Sequence, residues 1–196
     1  METVDLRAGA WLNEPTAQAE SDRLVVTTAA ATDFWRHTHY GFVRDTGHFL
    51  GFDVGTSFTA EIRVHADYAT LYDQAGLMLR AGPRRWAKAG VEFSDGRPRL
   101  AVVMTNGLSD WSLSEPSEDV SDLWLRMTLK DEALRIQASV DRNVWTLLRL
   151  APFTAGGQEL QVGPMCCTPE RAGLEVAFSD LRIGPASEAD LHDTGA

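Results

Sequence analysis

The 196-residue sequence predicts an all-β fold, a sandwich of two antiparallel sheets built from roughly eleven or twelve short strands. Apolar and polar residues alternate along many segments, as in LWLRMTL at residues 123–129 and ALRIQASV at residues 133–140. This period of two is typical of strands that bury one face. Long amphipathic helical patterns are almost absent, and turn-forming residues separate the segments. These turn signals are Asp45-Thr46-Gly47, Gly82-Pro83, Asp95-Gly96, Asp131-Glu132, Asp141-Arg142-Asn143 and Gly156-Gly157.

The chain length suits a single sandwich domain, which we assign to residues 1–185. Residues 186–196, ASEADLHDTGA, are polar and are predicted to form a frayed tail. The longest interruption of the strand pattern runs from Ser109 to Asp122 and contains Trp111. We expect this segment to be a loop over a site, because binding residues are often carried on loops.

The net charge of −10 argues against nucleic acid and against an anionic membrane surface, because both attract clusters of Lys and Arg. No apolar run approaches the roughly 18 residues of a membrane-spanning helix. The first residues, METVDLRAGAWLNEP, lack the basic and apolar regions of a signal peptide. We therefore expect a cytoplasmic protein with no nucleic-acid or membrane partner.

The two cysteines, Cys166 and Cys167, are adjacent, an arrangement that rarely allows them to form a disulfide with each other. Two reduced thiols are expected, in keeping with the cytoplasm. A metal pair is the alternative, but no histidine lies nearby in the sequence. His37 and His39 would share one face of a strand, a spacing that could bind a metal, yet no third ligand is in view and two surface imidazoles are favoured. No metal and no cofactor is predicted.

Turn chemistry also predicts how three polar-rich strands pair. Asp95-Gly96 is a strong signal for a two-residue hairpin turn, and it places Ser94 opposite Arg97. A five-residue connection over residues 81–85 would join the preceding strand. The predicted pairs are Glu92 with Arg99, Gly90 with Ala101, Lys88 with Val103 and Trp86 with Thr105 in the first hairpin, and Arg80 with Trp86, Met78 with Lys88, Gly76 with Gly90 and Gln74 with Glu92 in the second.

This register gives the three strands one apolar face and one polar face. The apolar face must be the core between the sheets, which also receives residues of other strands. On the polar face, Gly76, Gly90 and Ala101 form a row of small residues, which we interpret as the floor of a trough. The predicted core residues are Leu77, Leu79, Val91, Val102, Leu125, Ile136 and Phe178.

A purely structural interpretation of the polar face is equally open. Glu92 and Arg99 could form a cross-strand ion pair, which contributes under about 1 kcal/mol when exposed. The stem of Lys88 could lie over Trp86. The glycines could serve only to bend the sheet.

Several stretches of the sequence resemble one known family. TDFWRHTHYGF, YDQAGLMLR, WAKAGVEF and SDWS occur in the family's order, and LEVAFSDLRIG resembles the last strand of concanavalin A-like sandwiches. The resemblance runs from Trp11 to about Ile183. It is to the concanavalin A-like domain family of unknown function that includes the yeast regulation-of-enolase protein. This resemblance implies a jelly-roll sandwich with a concave and a convex sheet, and it implies no catalytic residues.

A glycoside hydrolase-like enzyme that uses Glu92 is one functional hypothesis. Such chemistry needs two carboxyl groups, and the second would have to come from Asp73 or Asp110, at spacings that the sequence does not secure. Lys88, four residues from Glu92, should favour the ionised carboxylate, which suits an acid catalyst poorly. The sequence contains no G-x-S-x-G, phosphate-loop or H-E-x-x-H motif. The sequence therefore favours a binding protein over an enzyme.

A module that binds a carbohydrate or another small polar ligand on the concave sheet is the favoured hypothesis, since rings can stack on sugars and polar groups can bind hydroxyls. A protein-interaction or regulatory module is a further alternative. It would present a broad apolar face instead of a narrow polar trough. The candidate ligand-binding residues are Trp35, Tyr72, Gln74, Arg80, Trp86, Lys88, Glu92, Thr105 and Trp111, and Tyr40 is a further ring that could contribute.

Overall fold

A computed structural model describes residues 1–191 and has the predicted all-β sandwich architecture, with two large antiparallel sheets. One short 3-10 helix, Leu6–Ala8, follows the first strand. The strands are β1 (Glu2–Thr3), β2 (Ala10–Leu12), β3 (Thr16–Ala19), β4 (Arg23–Thr27), β5 (Phe34–Arg36), β6 (Val43–Asp45), β7 (His48–Val54), β8 (Phe58–Ala66), β9 (Gln74–Gly82), β10 (Arg85–Ser94), β11 (Arg97–Asn106), β12 (Leu108–Ser114), β13 (Asp122–Lys130), β14 (Ala133–Ser139), β15 (Thr146–Pro152), β16 (Leu160–Cys167) and β17 (Glu175–Gly184).

The two sheets differ in size and strand order. The eight-stranded sheet runs β15-β14-β13-β8-β17-β4-β3, with β1 also paired to β17. The seven-stranded sheet runs β12-β11-β10-β9-β16-β7-β2. Strands β5 and β6 pair only with each other and form a separate hairpin. The three polar-rich strands β9, β10 and β11 are therefore neighbours within the seven-stranded sheet.

The register of β9, β10 and β11 is the predicted one. Asp95 and Gly96 both have positive φ, 53° and 80°, as a primed two-residue turn requires, and Ser94 lies opposite Arg97. The connection between β9 and β10 is shorter than predicted. Gly82 pairs directly with Arg85, and a bulge before Trp86 restores the pairing of Trp86 with Arg80.

The main core lies between the two sheets and includes all seven predicted core residues. Alternation along each strand directs these side chains inward, as the sequence pattern predicts. Burying one such Leu, Ile, Val or Phe side chain contributes about 1.5–3 kcal/mol relative to leaving it exposed.

A second, smaller apolar cluster lies on the opposite face of the seven-stranded sheet. The hairpin of β5 and β6 supplies Phe34 and Trp35, which pack against residues of the sheet beneath. This hairpin therefore covers part of the face on which the ligand trough was predicted. The remaining buried members are Phe49, Met78, Trp86, Val103 and Met165.

Two predictions about local structure need correction. Seventeen strands occur within residues 1–191, because β1, β2, β3, β5 and β6 are too short to show alternation. The segment from Ser109 to Asp122 is not a loop throughout, since its first part belongs to β12, an edge strand beside β11. β12 reads LSDWSLS and has a mixed burial pattern, so it lacks a clear apolar period.

Part of the predicted tail is held against the eight-stranded sheet. The backbone N–H of Ser187 donates to Oγ1 of Thr59, and Arg135 donates to the carbonyl oxygens of Ala189 and Asp190. The last part of the predicted tail, residues 192–196, lies outside the described residues. Within residues 1–191, no helix is long and apolar enough to cross a membrane.

Candidate functional site

A cavity of about 270 Å³ opens on the face of the seven-stranded sheet that points away from the core. Strands β9, β10 and β11 form its floor, the β5–β6 hairpin and β12 form its walls, and the chain just after β16 forms part of its rim. Its lining residues are Asp33, Trp35, Tyr40, Phe42, Tyr72, Gln74, Lys88, Glu92, Val103, Trp111, Pro169 and Glu170.

Lys88 lies at the centre of the cavity floor and is only 3 % exposed. Its Nζ donates to Oε1 of Gln74 at 2.7 Å and lies 3.4 Å from Oδ1 of Asp33. Burial alone would lower the pKa of Lys88, but the acidic groups around it, chiefly the Asp33 carboxylate, outweigh burial and raise it. Lys88 is therefore a fixed positive charge whose partners are already in place.

Glu92 is also 3 % exposed, yet its Oε1 has no hydrogen-bond partner within residues 1–191. Burial raises the pKa of Glu92 to about 7, with a further upward contribution from Asp33, while Lys88 acts in the opposite direction. Lys88 thus favours the ionised form of Glu92, as expected from the sequence, but burial outweighs its effect. The alternative of a cross-strand ion pair between Glu92 and Arg99 is not observed, since Arg99 pairs with Asp95 and Glu115.

Aromatic rings form the walls above this polar floor. Trp35 makes edge-to-face contacts with Tyr40 and Trp111, with ring centroids 5.6 and 6.4 Å apart. Tyr40 also exchanges a hydrogen bond of 3.1 Å with the hydroxyl of Tyr72. Nε1 of Trp35 donates to the carbonyl of Thr38, whereas the buried Nε1 of Trp111 has no acceptor within the described chain. Two residues that line the cavity thus each carry a buried polar atom without a partner, a donor on Trp111 and a carboxyl oxygen on Glu92.

Six of the nine predicted ligand-binding residues line this cavity. They come from β9, β10, β12, the hairpin and the turn before β9. The six are Trp35, Tyr72, Gln74, Lys88, Glu92 and Trp111.

The structure places Arg80, Trp86 and Thr105 beneath the β5–β6 hairpin and outside the cavity lining. Arg80 forms a bidentate pair with Asp45 of β6, with N–O distances of 2.9 and 2.7 Å. Trp86 is fully buried against Phe34 of β5. These side chains hold the hairpin that forms the cavity wall. They do not lie in an open trough, as the sequence predicted.

Thr105 acts through a short chain of hydrogen bonds. Its Oγ1 lies 2.9 Å from Oγ of Ser109, which accepts from the backbone N–H of Arg36 in β5. The guanidinium of Arg36 in turn donates to the carbonyl of Gly107. Thr105 therefore anchors the base of the hairpin to the sheet.

The row of small residues is not the floor of an open trough. Gly76 and Gly90 face each other as predicted, but only about 10 Å³ of space lies above Gly90, between Val103 and Met165. The usable cavity lies beside this row, above Gln74, Lys88 and Glu92.

Sequence reasoning missed Asp33 as the second carboxylate of the site. Asp33 precedes β5, and its Oδ1 also accepts from the backbone N–H of Phe34. The two carboxylates considered in its place have other roles: Asp73 is buried in an ion pair with Arg171, and Asp110 pairs with Arg149 outside the cavity. The only local signal for Asp33 is its position in the TDFWR stretch, and the hairpin fold that carries it to the site has no pattern of its own.

The remaining candidate metal ligands are not clustered. His37 and His39 are exposed in the turn between β5 and β6 with φ of 59° and 62°, which agrees with the favoured interpretation of two surface imidazoles and not with the alternative of a shared strand face. Cys166 and Cys167 are free, buried thiols, and burial raises the pKa of Cys167 to about 12. No group of three or more His, Cys, Asp or Glu side chains within residues 1–191 is arranged to hold a metal ion.

Comparison with known proteins shows the family. Residues 11–186 match the family described as "Protein of unknown function (DUF1349)". The chain belongs to this family. It is 48% identical over 191 residues to "Regulation of enolase protein 1" of Saccharomyces cerevisiae, covering 97% of this chain and 96% of the yeast protein.

Solved structures agree on the architecture. The crystal structure of a functionally unknown protein from Saccharomyces cerevisiae, 48% identical, matches with a TM-score of 0.90 over 94% of this chain and 100% of that one. A GH43 protein from Bacillus licheniformis, 12% identical, matches with a TM-score of 0.73 over 94% of this chain and 39% of that one. A xylan β-1,4-xylosidase from Bacillus halodurans, 13% identical, matches with a TM-score of 0.69 over 93% of this chain and 39% of that one. At these low identities the bacterial matches concern the fold alone.

Proposed function

We propose that this protein binds a small polar ligand, with a carbohydrate as the leading class, in the cavity between the seven-stranded sheet and the β5–β6 hairpin. The observation that carries the proposal is a pair of buried atoms without partners, Oε1 of Glu92 and Nε1 of Trp111, at one aromatic-walled cavity. Buried polar atoms of this kind normally bind a protein group, water or a ligand.

The shape of the site supports a small molecule. Its volume of about 270 Å³ is close to the lower end of the roughly 300–1,000 Å³ range of small-molecule pockets. Aromatic rings that stack on apolar sugar faces, with a few convergent polar groups, are the usual lining of such pockets. A ligand hydroxyl could accept from Nε1 of Trp111 and donate to Oε1 of Glu92.

The β5–β6 hairpin argues against a broad docking face for a protein partner, because it covers part of this face of the seven-stranded sheet. The β5–β6 hairpin packs on Phe49, Met78, Trp86, Val103 and Met165 of that sheet face, and a cavity of about 270 Å³ lies beside it. The yeast relative is named for regulation of enolase, and a regulatory role for this chain is compatible with the proposal if the bound small molecule is the regulating signal.

The proposal is tested by calorimetric titration and thermal shift with a set of mono- and disaccharides. A ligand at one hundred times its Kd should add about 2.7 kcal/mol to the free energy of unfolding. Trp111→Leu should weaken binding at least about tenfold, since it removes the Nε1 donor, and Glu92→Gln should weaken binding without abolishing it, since the amide keeps one acceptor. Trp124→Leu, on the other sheet, is the matched control and should bind normally. Absence of saturable binding to any of these sugars, or binding that both cavity variants retain in full, contradicts the proposal.

Glycoside hydrolysis is a second candidate, favoured by one specific feature. The cavity holds Glu92, whose pKa is raised to about 7 by burial, together with the second carboxylate Asp33. A carboxyl group that keeps its proton near neutral pH suits a general acid, and such hydrolases need two carboxyl groups. Aryl glycosides provide the test: wild type should release the aryl alcohol, and Glu92→Gln should abolish turnover while binding survives. No release from wild type rejects this candidate and leaves the binding proposal standing.

We also infer that the sandwich is concanavalin A-like, from the family resemblance, and that the chain works in the cytoplasm. Two free, buried thiols support a reducing compartment. Fluorescence microscopy of a tagged protein tests the location, and a signal confined to a secretory compartment would contradict it.

A further inference from the structure

The charges and rings of the cavity point to a narrower ligand class. We propose that the ligand carries a protonated amine beside hydroxyl groups, as an amino sugar or amino polyol does, and that its ammonium group pairs with Glu92. This inference rests on the proposed binding function and names the chemistry of its ligand.

The first argument is the balance of charge. The lining contains three carboxyl groups, of Asp33, Glu92 and Glu170, and one ammonium group, of Lys88. Lys88 is committed to Asp33 and Gln74, so it does not supply a hydrogen bond to the free oxygen of Glu92. A ligand cation would provide the missing partner, and a charge-assisted bond is stronger than a bond to a neutral hydroxyl.

The second argument is the ring content of the walls. Five aromatic side chains line this small cavity, and the face of an aromatic ring attracts a cation placed over it. The protein uses this contact elsewhere: the guanidinium of Arg126 lies 3.8 Å from the ring centroid of Trp145. The five are Trp35, Tyr40, Phe42, Tyr72 and Trp111.

The third argument concerns the second unpaired atom. Nε1 of Trp111 can only donate, so the ligand must also present an acceptor. An ammonium group has three donors and no acceptor, so a simple amine satisfies Glu92 and leaves Trp111 unpaired. A hydroxyl oxygen on the same molecule satisfies Trp111.

The charged and titratable neighbours of Glu92 set how its ionisation responds to a ligand. Lys88 on the same strand favours the ionised form, and Asp33 before β5 opposes it. The buried carboxyl of Glu92 has a pKa of about 7. A ligand cation bound beside it should lower that pKa and displace the proton. Tyr72 before β9 and Cys167 of β16 also interact with Glu92. Tyr40 of the hairpin turn and Glu170 after β16 line the same cavity, and Arg99 is the register partner of Glu92 on β11.

Matched ligand pairs test the inference by calorimetric titration of the full chain. The pairs are 6-amino-6-deoxyglucose with glucose, and 1-amino-1-deoxysorbitol with sorbitol; each differs by an ammonium in place of a hydroxyl. The amines, like a lysine side chain, stay protonated across the titration range. At least one amine should bind about tenfold or more tightly than its neutral partner at about pH 8, and that preference should shrink towards about pH 6, where Glu92 holds its proton.

Variants separate this inference from the function on which it rests. Glu92→Gln should abolish the preference for the amine and its pH dependence, whereas the matched control Glu159→Gln, an exposed carboxylate outside the cavity, should retain both. Neutral sugars that bind as tightly as the amines overturn the inference and leave the binding function intact. A preference that persists in Glu92→Gln also overturns it. If neither the amines nor the wider sugar set bind, the binding function itself is wrong.

Discussion

Gly76 and Gly90 lie directly opposite each other on β9 and β10, and neither position has room for a side chain. A Cβ on Gly90 would lie 2.0 Å from the carbonyl oxygen of Ala75, and a Cβ on Gly76 would lie 1.9 Å from that of Ala89. Both contacts are with backbone atoms of the paired strand, which cannot move without breaking the sheet. The two glycines therefore serve the approach of the strands and not the approach of a ligand.

Gly90→Ala should destabilise the protein by about 3 kcal/mol, because even a methyl group overlaps the neighbouring backbone. This expectation departs from the sequence interpretation, in which Gly90 forms part of the floor of an open trough. Urea denaturation of the purified variant gives the loss. Gly55→Ala is the matched control, since a Cβ there meets nothing within 4 Å. Equal stability of the two variants would show that β9 and β10 can separate at this point.

The register of β9, β10 and β11 could be predicted because local turn chemistry fixes it. Asp95-Gly96 sets the pairing, and alternation then assigns every side chain of these strands to a face. That is why Gln74, Lys88 and Glu92 were placed together correctly.

The cover over this face could not be predicted in the same way. The hairpin of β5 and β6 has strands of only three residues, and it reaches the sheet through long-range contacts such as Arg80 with Asp45. No periodicity encodes those contacts. Asp33 was therefore missed, and Arg80, Trp86 and Thr105 were assigned to a ligand when they hold the hairpin.

Arg80→Met should loosen the hairpin over residues 34–45. Hydrogen bonds to charged groups contribute about 1.5–3 kcal/mol, so amide exchange in this segment should accelerate at least about tenfold while the core strands stay protected. Hydrogen–deuterium exchange followed by mass spectrometry measures this. Arg63→Met removes a similar bidentate pair, with Asp122, from the eight-stranded sheet and should leave residues 34–45 unchanged. Uniform acceleration in both variants would mean that the Arg80 pair supports the whole fold and not the hairpin.

Lys88 and Asp33 should be energetically coupled. Lys88→Met leaves the Asp33 carboxylate and the Gln74 amide oxygen without their donor, and it should cost about 3 kcal/mol. Asp33→Asn should also destabilise, because it leaves a buried ammonium group without its counter-charge. The double variant should lose less than the sum of the two, by about 1–3 kcal/mol in a double-mutant cycle measured by urea denaturation. Strict additivity would show that the two side chains do not act as a pair.

Glu92 should make stability depend on pH in the direction opposite to that of a paired carboxylate. Its pKa rises from 4.5 in the unfolded chain to about 7 in the folded protein because of burial, so the folded state binds the proton more tightly. The stabilising effect of that proton is fully present below about pH 4.5 and is lost as the pH rises through about 7. Glu92→Gln carries no ionisable group there, so relative to wild type it should gain about 3 kcal/mol between about pH 4.5 and about pH 8. Unfolding free energies of the two proteins across this range give the difference. A flat difference for Glu92→Gln would mean that Glu92 is ionised in the folded protein, and the unpaired Oε1 would then have to be satisfied by water.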